Sequence, residues 1–130
     1  MNRIRVSVGI AALGTAAAAV LAPPASATVT GIAIASGNTL GTHSQGTGCS
    51  YTVTVTVDDN TKPVFFFEEG QGPSGFAEAM PKDGVAVATW TPSSTTPTYI
   101  YAFQPNATSQ MRQPVDIGTG INLGSACVAT

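Results

Sequence analysis

The sequence predicts an all-β protein: a Greek-key β-sandwich of seven or eight short strands, closed by one disulfide bond. Three observations lead to this prediction. In "YTVTVTV", Tyr51–Val57, apolar residues alternate strictly with threonine, which is the period of a half-buried strand. Further short apolar runs follow, separated by clusters of Gly, Pro, Asn and Asp, and no stretch has a convincing helical period. Short strands at this spacing are typical of a sandwich.

Residues 1–27 have the organisation of a secretory signal peptide. A start with two arginines precedes the apolar "VSVGIAALGTAAAAVLA", and "PPASA" supplies helix breakers and a small-residue cleavage pattern. A membrane anchor is the alternative, but the apolar stretch is short, contains glycines and ends at a proline pair rather than at charges. We therefore expect cleavage between Ala27 and Thr28. The domain 28–130 would then be secreted and extracellular, without a membrane span, and free or loosely associated with the cell wall.

The charge of the predicted mature domain disfavours nucleic acid as a partner. Three basic residues stand against seven acidic ones, a net charge of −4: Lys62, Lys82 and Arg112 against Asp58, Asp59, Glu68, Glu69, Glu78, Asp83 and Asp116. So few cations neutralise few phosphates, and anionic lipid is disfavoured for the same reason.

The strands are predicted in chain order from alternation and from the turn residues between them. "TVTGIAIAS" is the first strand, and "NTLGTHSQGTG" is a loop. "SYTVTVTV" is the second strand, and "PVFFFEE" is the third, with proline tolerated at its first position. "FAEA" is a short edge strand or, as the alternative, a helical turn. "VAVATW" and "YIYAFQ" are strands on either side of the linker "TPSSTTPT", and "PVDIGTGINLGSACV" gives one or two final strands interrupted by glycines.

The two cysteines, Cys49 and Cys127, predict one disulfide bond. Two cysteines in an exported chain are typical of a single bridge, whereas a metal site would lack a second pair of ligands. Cys49 precedes the second strand and Cys127 ends the last one. If successive strands alternate in direction, both lie at the same end of the sandwich. Closing so long a loop is worth about 4 kcal/mol on the chain-entropy model.

One part of the chain resembles a known family. The pattern "YTVTVTVDD…KPVFFFEEG…GVAVATWTPSS…TYIYAF" is similar to the bacterial immunoglobulin-like domain of the group 3 type, over about residues 50–104. The chain departs from that family in the turn "GQGPSG" and in carrying a single copy of the domain. The resemblance implies an immunoglobulin-like sandwich, and a role as a spacer or adhesive module on secreted and surface proteins. A single copy has nothing to space.

The register that the resemblance implies places five aromatic side chains outside. Val64, Phe66, Ile100 and Ala102 face the core, and their neighbours face outward: Phe65, Phe67, Tyr99, Tyr101 and Phe103. Adjacent strands would gather these five on one face, a patch of roughly several hundred Å² that monomeric proteins rarely expose without a use. Two alternatives remain: residues 104–120 fold back over this face, or a one-residue slip places the tyrosines inside.

The remaining polar residues are interpreted as ordinary loop and turn residues. His43 is the only histidine and is expected to be solvated in its loop, and Glu68 and Glu69 point to opposite faces of a strand near a solvated turn. Asp58 to Asn60 favour a turn over a calcium site. "TPSSTTPT" is an interstrand loop or an O-glycosylated segment. No catalytic, metal-binding or cofactor-binding set is recognised, and no cofactor is predicted.

The sequence therefore predicts a non-enzymatic domain that binds an envelope protein or a glycan at or outside the cell envelope, through the aromatic face or through its loops. One alternative is a structural module that self-associates into a homo-oligomer. The other is a carbohydrate-binding module.

Overall fold

The computed structural model describes residues 28–70, 75–107 and 110–130. The predicted signal peptide, 1–27, lies outside the described residues. The described part is all-β and contains twelve strands: β1 (Val29–Ile34), β2 (Thr39–Gly41), β3 (Gln45–Gly46), β4 (Tyr51–Val57), β5 (Val64–Glu68), β6 (Ala77–Ala79), β7 (Val85–Trp90), β8 (Thr98–Phe103), β9 (Met111–Val115), β10 (Ile117–Gly118), β11 (Gly120–Asn122) and β12 (Cys127–Ala129). In the same residues, no helix is long and apolar enough to cross a membrane.

The first large sheet has the order β1-β4-β7 and is antiparallel throughout. The alternation in β4 determines its two faces, because successive side chains of a strand point to opposite sides. Val53 and Val55 are fully buried, while Thr52 and Thr56 on either side of them are exposed and Thr54 between them is partly exposed. The threonine face is therefore solvated, as the sequence indicates.

The second large sheet has the order β6-β5-β8-β9. Its inner face carries Val64, Phe66, Ile100 and Ala102, all fully buried. They form one hydrophobic cluster with the valines of β4 and with Trp90 of β7. The two sheets thus make a sandwich-like core, and β6 and β9 are the outermost strands of the second sheet.

Two smaller sheets lie beside this core. β3 pairs in parallel with β10, and a three-stranded sheet has the order β11-β12-β2. The segment "NTLGTHSQGTG" is therefore not a simple loop, and the end of the chain forms four short strands rather than one or two. Glycine permits this packing: a Cβ on Gly46 would lie 2.8 Å from the Cα of Gly120 and 2.9 Å from the Sγ of Cys127.

The disulfide between Cys49 and Cys127 is present, with the two Cα atoms 6.2 Å apart and 78 positions apart in the sequence. The prediction of an all-β fold with one disulfide is confirmed. Both sulfurs are buried at the same end of the molecule, where the hydroxyl of Tyr51 lies 3.5 Å from the Sγ of Cys127. The bridge ties the start of β4 to the last strand.

Candidate functional site

The five aromatic residues singled out in the sequence lie on the outer face of the second sheet. β5 and β8 are neighbours, and their register pairs Phe65 with Phe103 and Phe67 with Tyr101. Paired residues of adjacent strands share a face, and Tyr99 lies two positions before Tyr101 on the same face. The one-residue slip that would place the tyrosines inside does not occur. We call these five residues, together with Arg112, the aromatic face.

Four of the rings form a stack that alternates between the two strands. The Phe67 ring lies 5.2 Å from the ring of Tyr101 and 5.0 Å from that of Phe103, with interplanar angles of 8° and 11°. The Phe103 ring also lies 5.7 Å from that of Phe65, tilted by 30°. Centroid distances in this range are typical of favourable aromatic pairs. The Phe67 ring therefore makes near-parallel contacts with two rings of the neighbouring strand.

The stack leaves less aromatic surface in water than five independent rings would. Phe67 is only 5% exposed, whereas Tyr99 is 37% exposed and the other three rings are partly buried. Gly75 contributes to the cover of Phe67, because a Cβ at that glycine would lie 3.2 Å from the Cδ1 atom of the phenylalanine. Phe67 thus points outward, as expected from the register, but is buried there.

Arg112 lies at one end of the face and was not singled out in the sequence. It is on β9, opposite Tyr101, and its guanidinium carbon lies 4.8 Å from the centroid of the Tyr99 ring. This is the geometry of a cation–π interaction. β9, Met111–Val115, extends the sheet beside β8 and does not fold back over the rings. The sequence did contain one indication of this strand, because "MRQPV" is long enough to form it.

The acidic turn after β4 uses its side chains to bind the backbone. The carboxylate of Asp59 accepts hydrogen bonds from the backbone N–H and the hydroxyl of Thr61, and the side-chain oxygen of Asn60 accepts one from the N–H of Gly84 at 2.6 Å. The hydroxyl of Thr61, followed by its N–H, lowers the pKa of Asp59 below its ordinary value. No group of three or more His, Cys, Asp or Glu residues that could hold a metal ion occurs among the described residues.

Glu68 was predicted to lie near a solvated turn, and this prediction is wrong because the residue is buried. It points inward, is buried, and its Oε2 accepts a hydrogen bond of 3.1 Å from the indole Nε1 of Trp90. Glu69, the next residue, is exposed, so the two carboxylates do point to opposite sides. A carboxylate at this depth needs hydrogen-bond donors, and the tryptophan at the end of β7 supplies one.

His43 was predicted to be a solvated loop residue, but its ring makes specific contacts. Its Nδ1 lies 2.7 Å from Oδ1 of Asp116, and its ring packs against Gly118, where a Cβ would lie 2.8 Å from the ring Cγ. The backbone N–H of His43 donates to the carbonyl of Ala129. The pair connects residues 73 positions apart, which alternation along the chain does not reveal.

A second apolar surface lies on the three-stranded sheet near the disulfide. Leu40, Val128 and Ile121 are neighbours across β2, β12 and β11, and Leu123 follows β11. Leu40, Ile121 and Leu123 are each more than half exposed. No charged residue occurs in the segments 36–42 and 119–130 that carry them. We call these four residues the apolar strip. The sequence alone does not reveal the strip, because its residues lie in segments rich in glycine and threonine.

Comparison of the chain with protein-family models, with curated proteins and with solved structures finds no match.

Proposed function

We propose that the domain 28–130 is a secreted, non-enzymatic, immunoglobulin-like module that binds another protein, at or outside the cell envelope, through its aromatic face. The single observation that supports this most is the ring stack on an outer sheet face, with the cation–π pair of Tyr99 and Arg112 on the same face. Tyrosine, phenylalanine and arginine are enriched in the centres of protein interfaces.

The strand order supports the immunoglobulin-like part of the proposal. Strands 1, 4 and 7 share one large sheet, whereas strands 6, 5, 8 and 9 share the other, so the chain crosses repeatedly between the sheets. Crossing connections of this kind are a property of Greek-key sandwiches, to which immunoglobulin-like domains belong.

The orientation of the rings favours a protein over a glycan. A sugar packs its C–H groups on a free aromatic face, but the Phe67 ring is only 5% exposed beside Tyr101 and Phe103. The guanidinium of Arg112 lies over the Tyr99 ring. What the stack offers to a partner is ring edges, which carry partial positive charge, and a guanidinium beside them. Backbone carbonyls, carboxylates and aromatic faces of a protein are suited to both groups.

The test uses the two most accessible members of the face. Mature protein with its disulfide intact is immobilised and exposed to secreted and envelope proteins of the producing cell, and separately to envelope polysaccharide. A Tyr99→Ser, Arg112→Ser variant should lose the retained protein, and the affinity for that purified protein should fall about 5-fold or more, since interface centres contribute above 1 kcal/mol per residue.

The matched control is Val87→Ser, which removes an apolar side chain that is half exposed on the opposite sheet. It should bind as the wild type does. Equal binding by the wild type, the double variant and the control would refute the role of the aromatic face. Retention of polysaccharide alone, lost in the double variant, would replace the protein partner by a glycan.

A second candidate function, self-association, is favoured by the apolar strip. In a symmetric dimer the same surface patch of both copies meets, so an uncharged strip is suited to such a contact in an acidic protein. Sedimentation over a range of concentrations would show a dimer that Leu40→Ser with Ile121→Ser abolishes. A monomer at all concentrations would eliminate this candidate.

A further inference from the structure

The first residue of the predicted mature domain, Thr28, is bound at the end of β4. Its backbone nitrogen donates a hydrogen bond of 2.7 Å to Oδ1 of Asp58. In the opposite direction, the backbone N–H of Asp58 donates to the carbonyl oxygen of Thr28 at 3.2 Å. The two bonds close the end of the β1–β4 ladder, in which Val29 lies opposite Val57.

Cleavage before Thr28 would change the chemistry of this nitrogen. When a signal peptidase hydrolyses the Ala27–Thr28 bond, the hydroxyl of the water goes to the carbonyl carbon of Ala27 and its hydrogen goes to the nitrogen of Thr28. The amine formed then takes a proton from solvent, because an α-amino group has a pKa of about 7.7–8.0. A neutral amide donor is replaced by an ammonium group next to a carboxylate.

We propose that the carboxylate of Asp58 is the binding site for the α-ammonium group of the processed chain, and that the mature domain is stabilised by an ion pair that its precursor lacks. The inference depends on the predicted cleavage site and is independent of the proposed binding function. Charge-assisted hydrogen bonds are stronger than neutral ones, so the same 2.7 Å contact gains strength on processing.

The contact with Asp58 depends on the residue at which the processed chain begins. The pairing of β1 with β4 fixes where the nitrogen of Thr28 lies. A chain that began one residue earlier or later would carry its ammonium group about 3.8 Å away, measured along the backbone. A chain that starts at Thr28 places the charge on the nitrogen that already lies within hydrogen-bond distance of Asp58.

The experiment removes the charge of the new terminus while keeping an N–H donor on the same nitrogen. Protein beginning at Thr28 is compared with the same protein acetylated selectively at its α-amino group, which keeps one N–H donor on the same nitrogen. Both forms are made with Asp58 and with Asp58→Asn, which keeps an acceptor oxygen but removes the negative charge. The equilibrium constant of unfolding is measured in urea, with the disulfide intact, at low salt and at about 1 M salt.

For the Asp58 protein, we expect acetylation to raise the unfolding constant about 1.5-fold to 5-fold, the range of an exposed ion pair. The effect of acetylation should be smaller in the Asp58→Asn protein, and high salt should reduce it in the Asp58 protein. An effect of equal size in both backgrounds would overturn the proposal, since it would not involve the carboxylate. Absence of any effect, or an exported protein whose first residue by mass spectrometry is not Thr28, would overturn it as well.

Discussion

The ring stack of the aromatic face should contribute to stability as well as to recognition. Replacing Phe67 by leucine keeps an apolar side chain of similar burial but removes two near-parallel contacts, with Tyr101 and Phe103. Aromatic pairs contribute about 0.5–1.5 kcal/mol each beyond the area that they bury. Two pairs give an expected loss of about 1–3 kcal/mol in the free energy of unfolding, a large fraction for a small domain.

The assay is a double-mutant cycle in urea, with Phe67→Leu, Tyr101→Leu and the two together. The coupling energy between the positions should be about 0.5–1.5 kcal/mol, the contribution of their one stacked pair. A coupling near zero would refute the reasoning, because the losses would then come only from buried area. Phe65→Leu combined with Tyr101→Leu is the control: these rings are not stacked on each other, so the two changes should be nearly additive.

Three further predictions concern the rest of the fold. Replacing both cysteines by alanine should lower the free energy of unfolding, measured in urea, by about 4 kcal/mol. A loss below about 1 kcal/mol would show that the disulfide does not act mainly by restraining the unfolded chain. The lowered pKa of Asp59 stabilises the fold above the ordinary aspartate value of about 3.9, and this contribution disappears as the pH falls through the lower, folded value. Thr61→Ala, which removes the hydroxyl donor, should therefore reduce stability at pH 7 more than at pH 2, as measured by urea unfolding; an equal loss at both would contradict the assignment. Trp90→Phe, which removes a donor to the buried Glu68, should lower the free energy of unfolding by about 1.5–3 kcal/mol, whereas the same change in a Glu68→Leu background should lower it less.

The long strands could be predicted from the sequence because their periodicity is local. β4 alternates without a break over seven residues. In β5 and β8 alternation defines only two sets of side chains, and the resemblance decided which set was predicted to face the core. The register across strands needed the resemblance to immunoglobulin-like domains. The assignment of the fold as immunoglobulin-like stays a prediction.

The short strands and the pairs between distant residues could not be predicted in this way. β3 and β10 have two residues each, too few to show a periodic pattern, and Gly46 of β3 packs against Gly120 only because it has no side chain. The contact of His43 with Asp116 depends on the pairing of β3 with β10. The burial of Phe67 depends on rings that are adjacent only after two strands have joined.

The borders of the sheet that carries the aromatic face restrict how the proposed protein partner could reach it. On one side the sheet ends at β9, where Pro114 has no N–H to offer a further strand and Arg112 carries a charge. On the other side it ends at β6, a strand of three residues with the acidic Glu78 at its centre. Prolines, charges and short length all discourage strand addition at a sheet edge. A partner is therefore expected to approach this sheet broadside, through side chains, and the sheet itself is poorly suited to growing by edge-to-edge polymerisation.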